Sequence, residues 1–170
     1  MPFISAAQCP NPNVPAFLDM LAWSELGSDY LSRSDNGYNI IVTGTDGKME
    51  TFTGYADHPF AAGRPSKVIN SKGLTSNAAG RYQQMLRDWP HYKAQLKLPD
   101  FGKLSQDLLA IQHIRECRAL AAIASGNIPA AIAQCANIWA SLPGNAYGQP
   151  VRPTAALLAR YQAAGGVLAV

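Results

Sequence analysis

Glu25 is an acid where the helical pattern asks for a hydrocarbon. In the segment from Pro15 to Glu25, the apolar residues Phe17, Leu18, Leu21 and Ala22 fall at helical spacing, and Glu25 continues the row of Phe17 and Leu21 at i, i+4 and i+8. Its carboxyl is therefore directed to the core side. Asp19 falls on the opposite face, where water is expected to solvate it. Gly27 is expected to end the helix and leave Glu25 in its last turn. There, apolar surroundings and unpaired carbonyls both disfavour the ionised form. A carboxyl held protonated near neutral pH has the property a general acid needs. The competing reading is a helix-end residue whose carboxylate bends back to solvent.

Other residue types offer weaker chemistry. His58, His91 and His113 are isolated and belong to no His-Glu-x-x-His set, so a zinc site is not expected and surface or core roles are. Cys9, Cys117 and Cys135 are too few and too scattered for a disulfide framework, and Cys117 and Cys135 read as helix-packing residues. His113 and Cys117 stand four apart, a packing coincidence on one helix rather than a thiol peptidase pair. No metal or cofactor is expected.

The elements that must position Glu25 follow from punctuation and periodicity. With 170 residues, 48% of them hydrophobic, the chain is long enough to bury a core. Residues 1–14 read as an N-terminal extension and 15–170 as one catalytic domain. Tyr38 to Val42 and Met49 to Phe52 form a hairpin about Asp46-Gly47. Tyr55 to Asn77, rich in Pro and Gly, reads as a long irregular loop. Helices are expected over Ala78–Trp89, ended by Pro90, and over Tyr92–Leu96. A longer one, capped by Ser105, runs through Ile114 and on to Ala124, and the last two cover Ala130–Ala140 and Thr154–Ala164. The sum is an α+β fold, mostly helical with one small β-hairpin, in two lobes around a cleft. A net charge of +3 spread along the chain gives no nucleic-acid patch. No stretch reaches the ~20 apolar residues of a membrane span, and the first residues lack the charged start of a secretory signal, so a soluble cytosolic product without membrane insertion is expected.

Five blocks then appear in one order: Ala16 to Glu25, Asn36 to Val42, Tyr55 to Pro59, Ala79 to Gln83, and Cys135 to Gly144. Together, over about Pro15 to Gly166, they resemble the lambda-type phage endolysins, glycoside hydrolase family 104. The resemblance implies a lysozyme-like fold and cleavage of the β-1,4 bond between N-acetylmuramic acid and N-acetylglucosamine in peptidoglycan. It implies a lytic transglycosylase, whose product ends in 1,6-anhydromuramic acid, with Glu25 as catalytic acid and base. It further implies a monomer that waits in the host cytoplasm until a holin opens the membrane and then reaches the periplasm and cell wall.

The family often has an Asp where this chain has Asn39, which removes one potential second carboxylate and leaves Asp29, Asp35, Asp46, Glu50 and Asp57 as alternatives. Substrate contacts are expected from Asn39, Tyr82, Gln83 and Tyr147, with a core position as the alternative for Tyr82. Two other functions remain open: a hydrolytic muramidase, which commonly uses two carboxyls, and a peptidoglycan-binding module without activity.

Overall fold

The computed structural model describes residues 1–145 and 151–169. Its first helix, α1, spans Val14–Ser32 and is broken at Gly27, whose φ of +71° and ψ of 168° are not helical. The break expected from the sequence therefore lies two residues after Glu25. Before it, Ala16, Phe17, Leu18, Met20, Leu21 and Ala22 are each at most 3% exposed. A helix apolar on nearly every side has to be a core element. That leaves no solvated face for Asp19, which corrects the expectation above. Asp19 is buried and its Oδ2 accepts from Arg160 Nη2 at 2.6 Å.

The chain forms two compact units, residues 1–25 with 107–170, and residues 26–106. The first unit is helical. α3 (Lys103–Glu116) begins in the second unit and belongs to the first from Asp107 onward. It stops at Glu116 because Arg118 takes a left-handed conformation, φ +59°, so the expected continuous helix is instead α3 followed by a short α4, Leu120–Ala124. α5 (Ile128–Cys135) starts as expected, with Asn127 Oδ1 accepting from the Ala130 amide and Pro129 in the first turn, but it ends five residues before Ala140. α6 runs over Thr154–Ala163 and packs, like α4, on α5. Gly166 lies against the Tyr161 ring so closely that a Cβ would sit 2.3 Å from it. Residues 1–14 are tied into this same unit: the amides of Phe3 and Ile4 both donate to Oδ2 of buried Asp107, at 2.8 and 2.7 Å.

The second unit holds the sheet. β1 (Ile40–Ile41) pairs antiparallel with β2 (Glu50–Thr51), the hairpin expected from the sequence, with Gly47 in a positive-φ turn. The expected irregular loop contains a second hairpin, β3 (Lys67–Val68) with β4 (Thr75–Ser76). Ala78–Trp89 is not a helix. It forms β5 (Ala78–Ala79) and β6 (Gln84–Met85), which extend the sheet in the order β2-β1-β5-β6. The cause is tertiary: Gly80 has a φ of +79°, and a Cβ there would meet Gln106 Oε1 at 2.2 Å. Helix-forming composition yields to that close approach. Pro90 correspondingly opens α2 (Trp89–Gln95) rather than closing the element before it.

Gln106 is the polar hub of this unit. Completely buried, it accepts from the Arg81 amide at 2.9 Å and donates to the carbonyls of Tyr38 and Phe101 at 3.0 and 2.8 Å, while its own carbonyl accepts from Gln84 Nε2 at 3.0 Å. One side chain thus joins the strands to the start of α3.

Candidate active site

Glu25 sits at the end of the helical run that precedes Gly27, in the row of fully buried Phe17 and Leu21. The residue keeps partial solvent access while its carboxyl is largely desolvated, and the loss of hydration pushes its pKa from 4.5 up to about 7. Hydrogen bonds from the Ser141 side chain and backbone work in the opposite direction but do not cancel the burial. Ser141 Oγ lies 2.5 Å from Glu25 Oε1 and also 2.5 Å from Ser24 Oγ. The carboxyl is thus a proton donor near neutral pH with one oxygen already engaged.

Ser141 comes from far along the chain and is held firmly. Asn145 Nδ2 donates to the carbonyls of Ala140 and Leu142 at 2.8 and 2.6 Å, which closes the turn around Ser141. The Arg152 amide donates to the Ser141 carbonyl at 2.9 Å, its Nε reaches the Ser24 carbonyl at 3.4 Å, and its guanidinium stands 5.1 Å from the Trp23 ring centre. Sequence reading missed Ser141 and Arg152 as site residues. Ser141 lies within one of the family blocks, but nothing local marks a serine that meets a carboxyl 116 positions earlier.

The other carboxyls flagged from the sequence have different environments. Glu50 is held below its ordinary range by hydrogen bonds from Lys67 and Arg64. In Asp35, partial desolvation is outweighed by Lys103 and Tyr55, and in Asp57 by Trp89, the His58 amide and Lys93. These three stay ionised and suit no proton-donating role. Asp29 is exposed and pairs with Arg33 at 2.9 Å.

Of the candidate substrate contacts, Asn39 uses its Oδ1 to accept from the Asp35 amide at 3.0 Å, bracing the turn before β1, and is half-buried. Tyr82 is 1% exposed, the core position weighed as its alternative, so it presents no ring face to a sugar. Gln83 is half-buried in a left-handed conformation, φ +50°, with Nε2 donating to the Gly80 carbonyl at 3.0 Å. Such a backbone is uncommon for a residue with a side chain. Tyr147 lies outside the described residues.

His58 is a core residue. Its Nδ1 accepts from the Phe60 amide, which leaves Nε2 to donate to the Gln84 carbonyl at 3.1 Å, and burial lowers its pKa. His113 is buried 6.1 Å from the Trp139 ring. Cys135 is a core residue as expected. Cys117, expected on a helix, follows the end of α3, half-buried, with Sγ 3.5 Å from Asn137 Oδ1.

Known proteins resemble this chain over most of its length. The family model "Endolysin" matches residues 15–168. The endolysin of Escherichia phage P2 is 54% identical over 98% of this chain and 99% of its own length, and that of Escherichia phage lambda is 47% identical over 90% and 91%. The solved structure of bacteriophage lambda lysozyme complexed with a chitohexasaccharide superposes with a TM-score of 0.82 at 45% identity, covering 93% of this chain and 97% of that one. A second structure of the same lysozyme gives a TM-score of 0.77 at 44% identity and the same coverage. The fold is lysozyme-like, and the chain belongs to the endolysin family.

Proposed function

We propose that this protein cleaves the β-1,4 bond between N-acetylmuramic acid and N-acetylglucosamine in peptidoglycan, as a lytic transglycosylase with Glu25 as its acid and base. The observation that carries the reading is the Glu25 carboxyl, protonated up to about pH 7 by its desolvation. A glycosidic oxygen leaves only when protonated, and this is the form that Glu25 supplies. Glu25 gives its proton to the oxygen of the leaving N-acetylglucosamine as the bond to muramic C1 breaks. The resulting carboxylate takes the proton of the muramic C6 hydroxyl as O6 closes on C1. One carboxyl serves both transfers, and no activated water is needed because the nucleophile is held beside the reacting carbon.

Support comes from Asn39, a neutral residue occupied in bracing its own turn, and from the chitohexasaccharide in the related lysozyme, which shows that protein holding a glycan. Asn39 and Gln83 are proposed as hydrogen-bond partners of the sugar, Gln83 on the strength of its unusual backbone. Among the described residues no helix is long and apolar enough to cross a membrane. A monomer released to the wall by a holin-type partner is the corresponding proposal for the cellular setting, and abrupt lysis of expressing cells on adding chloroform, but not before, is its expected outcome.

Mass spectrometry of digested peptidoglycan tests the bond chemistry. Transglycosylation gives 1,6-anhydromuramic ends, lighter by one water and resistant to borohydride. A digest dominated by reducible muramic ends would assign the protein as a muramidase, and an undigested wall would leave a binding module.

A further inference from the structure

The two oxygens of the Glu25 carboxyl are not equivalent. Oε1 accepts from Ser141 Oγ at 2.5 Å, and Ser141 Oγ also lies 2.5 Å from Ser24 Oγ. A hydroxyl has one hydrogen to donate and two lone pairs with which to accept. Against an ionised carboxylate, which can only accept, Ser141 gives its hydrogen to Oε1, and in the second contact Ser24 is then the donor and Ser141 the acceptor. In that state the order runs from Ser24 to Ser141 to Oε1.

We propose that Ser24 and Ser141 are positioning residues, a two-hydroxyl relay that holds Oε1 as a hydrogen-bond acceptor and so keeps the transferred proton on Oε2. The proposal rests on Glu25 being the acid of the reaction above. Both serines are fixed by the framework. Ser24 is 3% exposed on α1, and Ser141 stands in the turn closed by Asn145. Arg152 ties the two together, its amide donating to the Ser141 carbonyl at 2.9 Å and its Nε to the Ser24 carbonyl at 3.4 Å.

The arrangement has two chemical consequences. Without it, the acidic proton would be shared between two equivalent oxygens. A proton on Oε1 would require both serine hydroxyls to turn, Ser141 accepting from Oε1 and donating to Ser24, whereas a proton on Oε2 leaves the order from Ser24 to Ser141 to Oε1 as the ionised carboxylate has it. As Oε2 releases the proton to the glycosidic oxygen, negative charge spreads onto Oε1, and the bond from Ser141 becomes charge-assisted and stronger at that moment. The same bond opposes the desolvation that keeps Glu25 protonated, which makes the carboxyl a readier donor than burial alone would leave it. The serines give up no atoms. Their protons stay where they are while Oε2 gives up one proton and collects that of the C6 hydroxyl.

The test is lysis rate against pH and wall concentration for Ser141→Ala, Ser141→Thr, Ser24→Ala and the double alanine variant, with Glu25→Gln in parallel. S141A should lower the maximal rate roughly tenfold to a hundredfold, with little change in the wall concentration at half-maximal rate. Its alkaline limb should move up by about one pH unit, because the ionised form has lost a donor. S141T, which keeps the hydroxyl, should restore both. S24A should give a smaller change in the same direction, and the double variant should be no worse than S141A, as expected of groups acting in series. If S141A does not fold, S24A carries the test through its pH limb.

An unshifted alkaline limb in S141A or in its substitute, or single effects that multiply in the double variant, would overturn the relay. If E25Q is inactive while the limb is unshifted, only the relay fails. If E25Q lyses walls like the parent, the assignment of Glu25 fails, and the relay with it.

Discussion

Replacing Glu25 by Gln separates two roles that one carboxyl plays, in catalysis and in stability. The carboxyl titrates at about 7 in the folded protein against an ordinary 4.5, with desolvation as the leading cause. A folded-state pKa above the unfolded one means that the group's contribution to stability is fully present below about 4.5 and is lost as the pH rises through about 7. At about 1.36 kcal/mol for each pH unit between the two values, the loss comes to about 3.4 kcal/mol by pH 8. Partial solvent access makes that a ceiling, and about 2 kcal/mol is the figure to expect. Gln has the same volume and does not titrate, so E25Q should be spared the loss. Urea unfolding of parent and variant at pH 4, 6 and 8 measures it. The stability difference between them should move in favour of E25Q by about 2 kcal/mol between pH 4 and pH 8, while lysis is lost at every pH. The parent's own lysis should decline on the alkaline side of pH 7, where the acid is ionised. Parallel stability curves for the two proteins would refute the desolvated carboxyl, and lysis by E25Q within a few-fold of the parent would remove Glu25 from the mechanism.

Gln106→Ala should lower stability by about 4 kcal/mol in urea unfolding, since it strips buried partners from the Arg81 amide and from the Tyr38 and Phe101 carbonyls; a loss under about 1 kcal/mol would show that water replaces them. Asp19→Ala should cost about 2 to 3 kcal/mol, since it strips the buried carboxylate from half-exposed Arg160 and from the Met1 ammonium, and a cost below about 0.5 kcal/mol would show that water replaces it for both. In hydrogen exchange, the exposed residues 61–66 should exchange fast and slow down when a chitin oligomer is added, whereas the paired amides about β3 and β4 should already be protected; exchange unchanged by the oligomer would refute closure of this loop over glycan.

The sequence by itself determined the elements whose signals are local. The apolar row from Phe17 to Glu25, the break at Gly27, the Asp46-Gly47 turn and the Pro129 helix start each rest on neighbours within a few positions, and each is present in the structure. It also placed Glu25 on an apolar row, from which the direction of its pKa follows. What only the tertiary structure decided involves distant partners. Ala78 to Met85 has helix-forming composition, and it is a β-hairpin because Gly80 must lie against Gln106. Asp19 looked solvated because a helix is usually half-exposed, and it is buried because α1 is surrounded by core and Arg160, 141 positions later, supplies the compensating charge. The same limit hid Ser141. Its hydroxyl reaches Glu25 only once both ends of the chain have folded into one unit, and no pattern of nearest neighbours carries information about a contact that long-range packing creates.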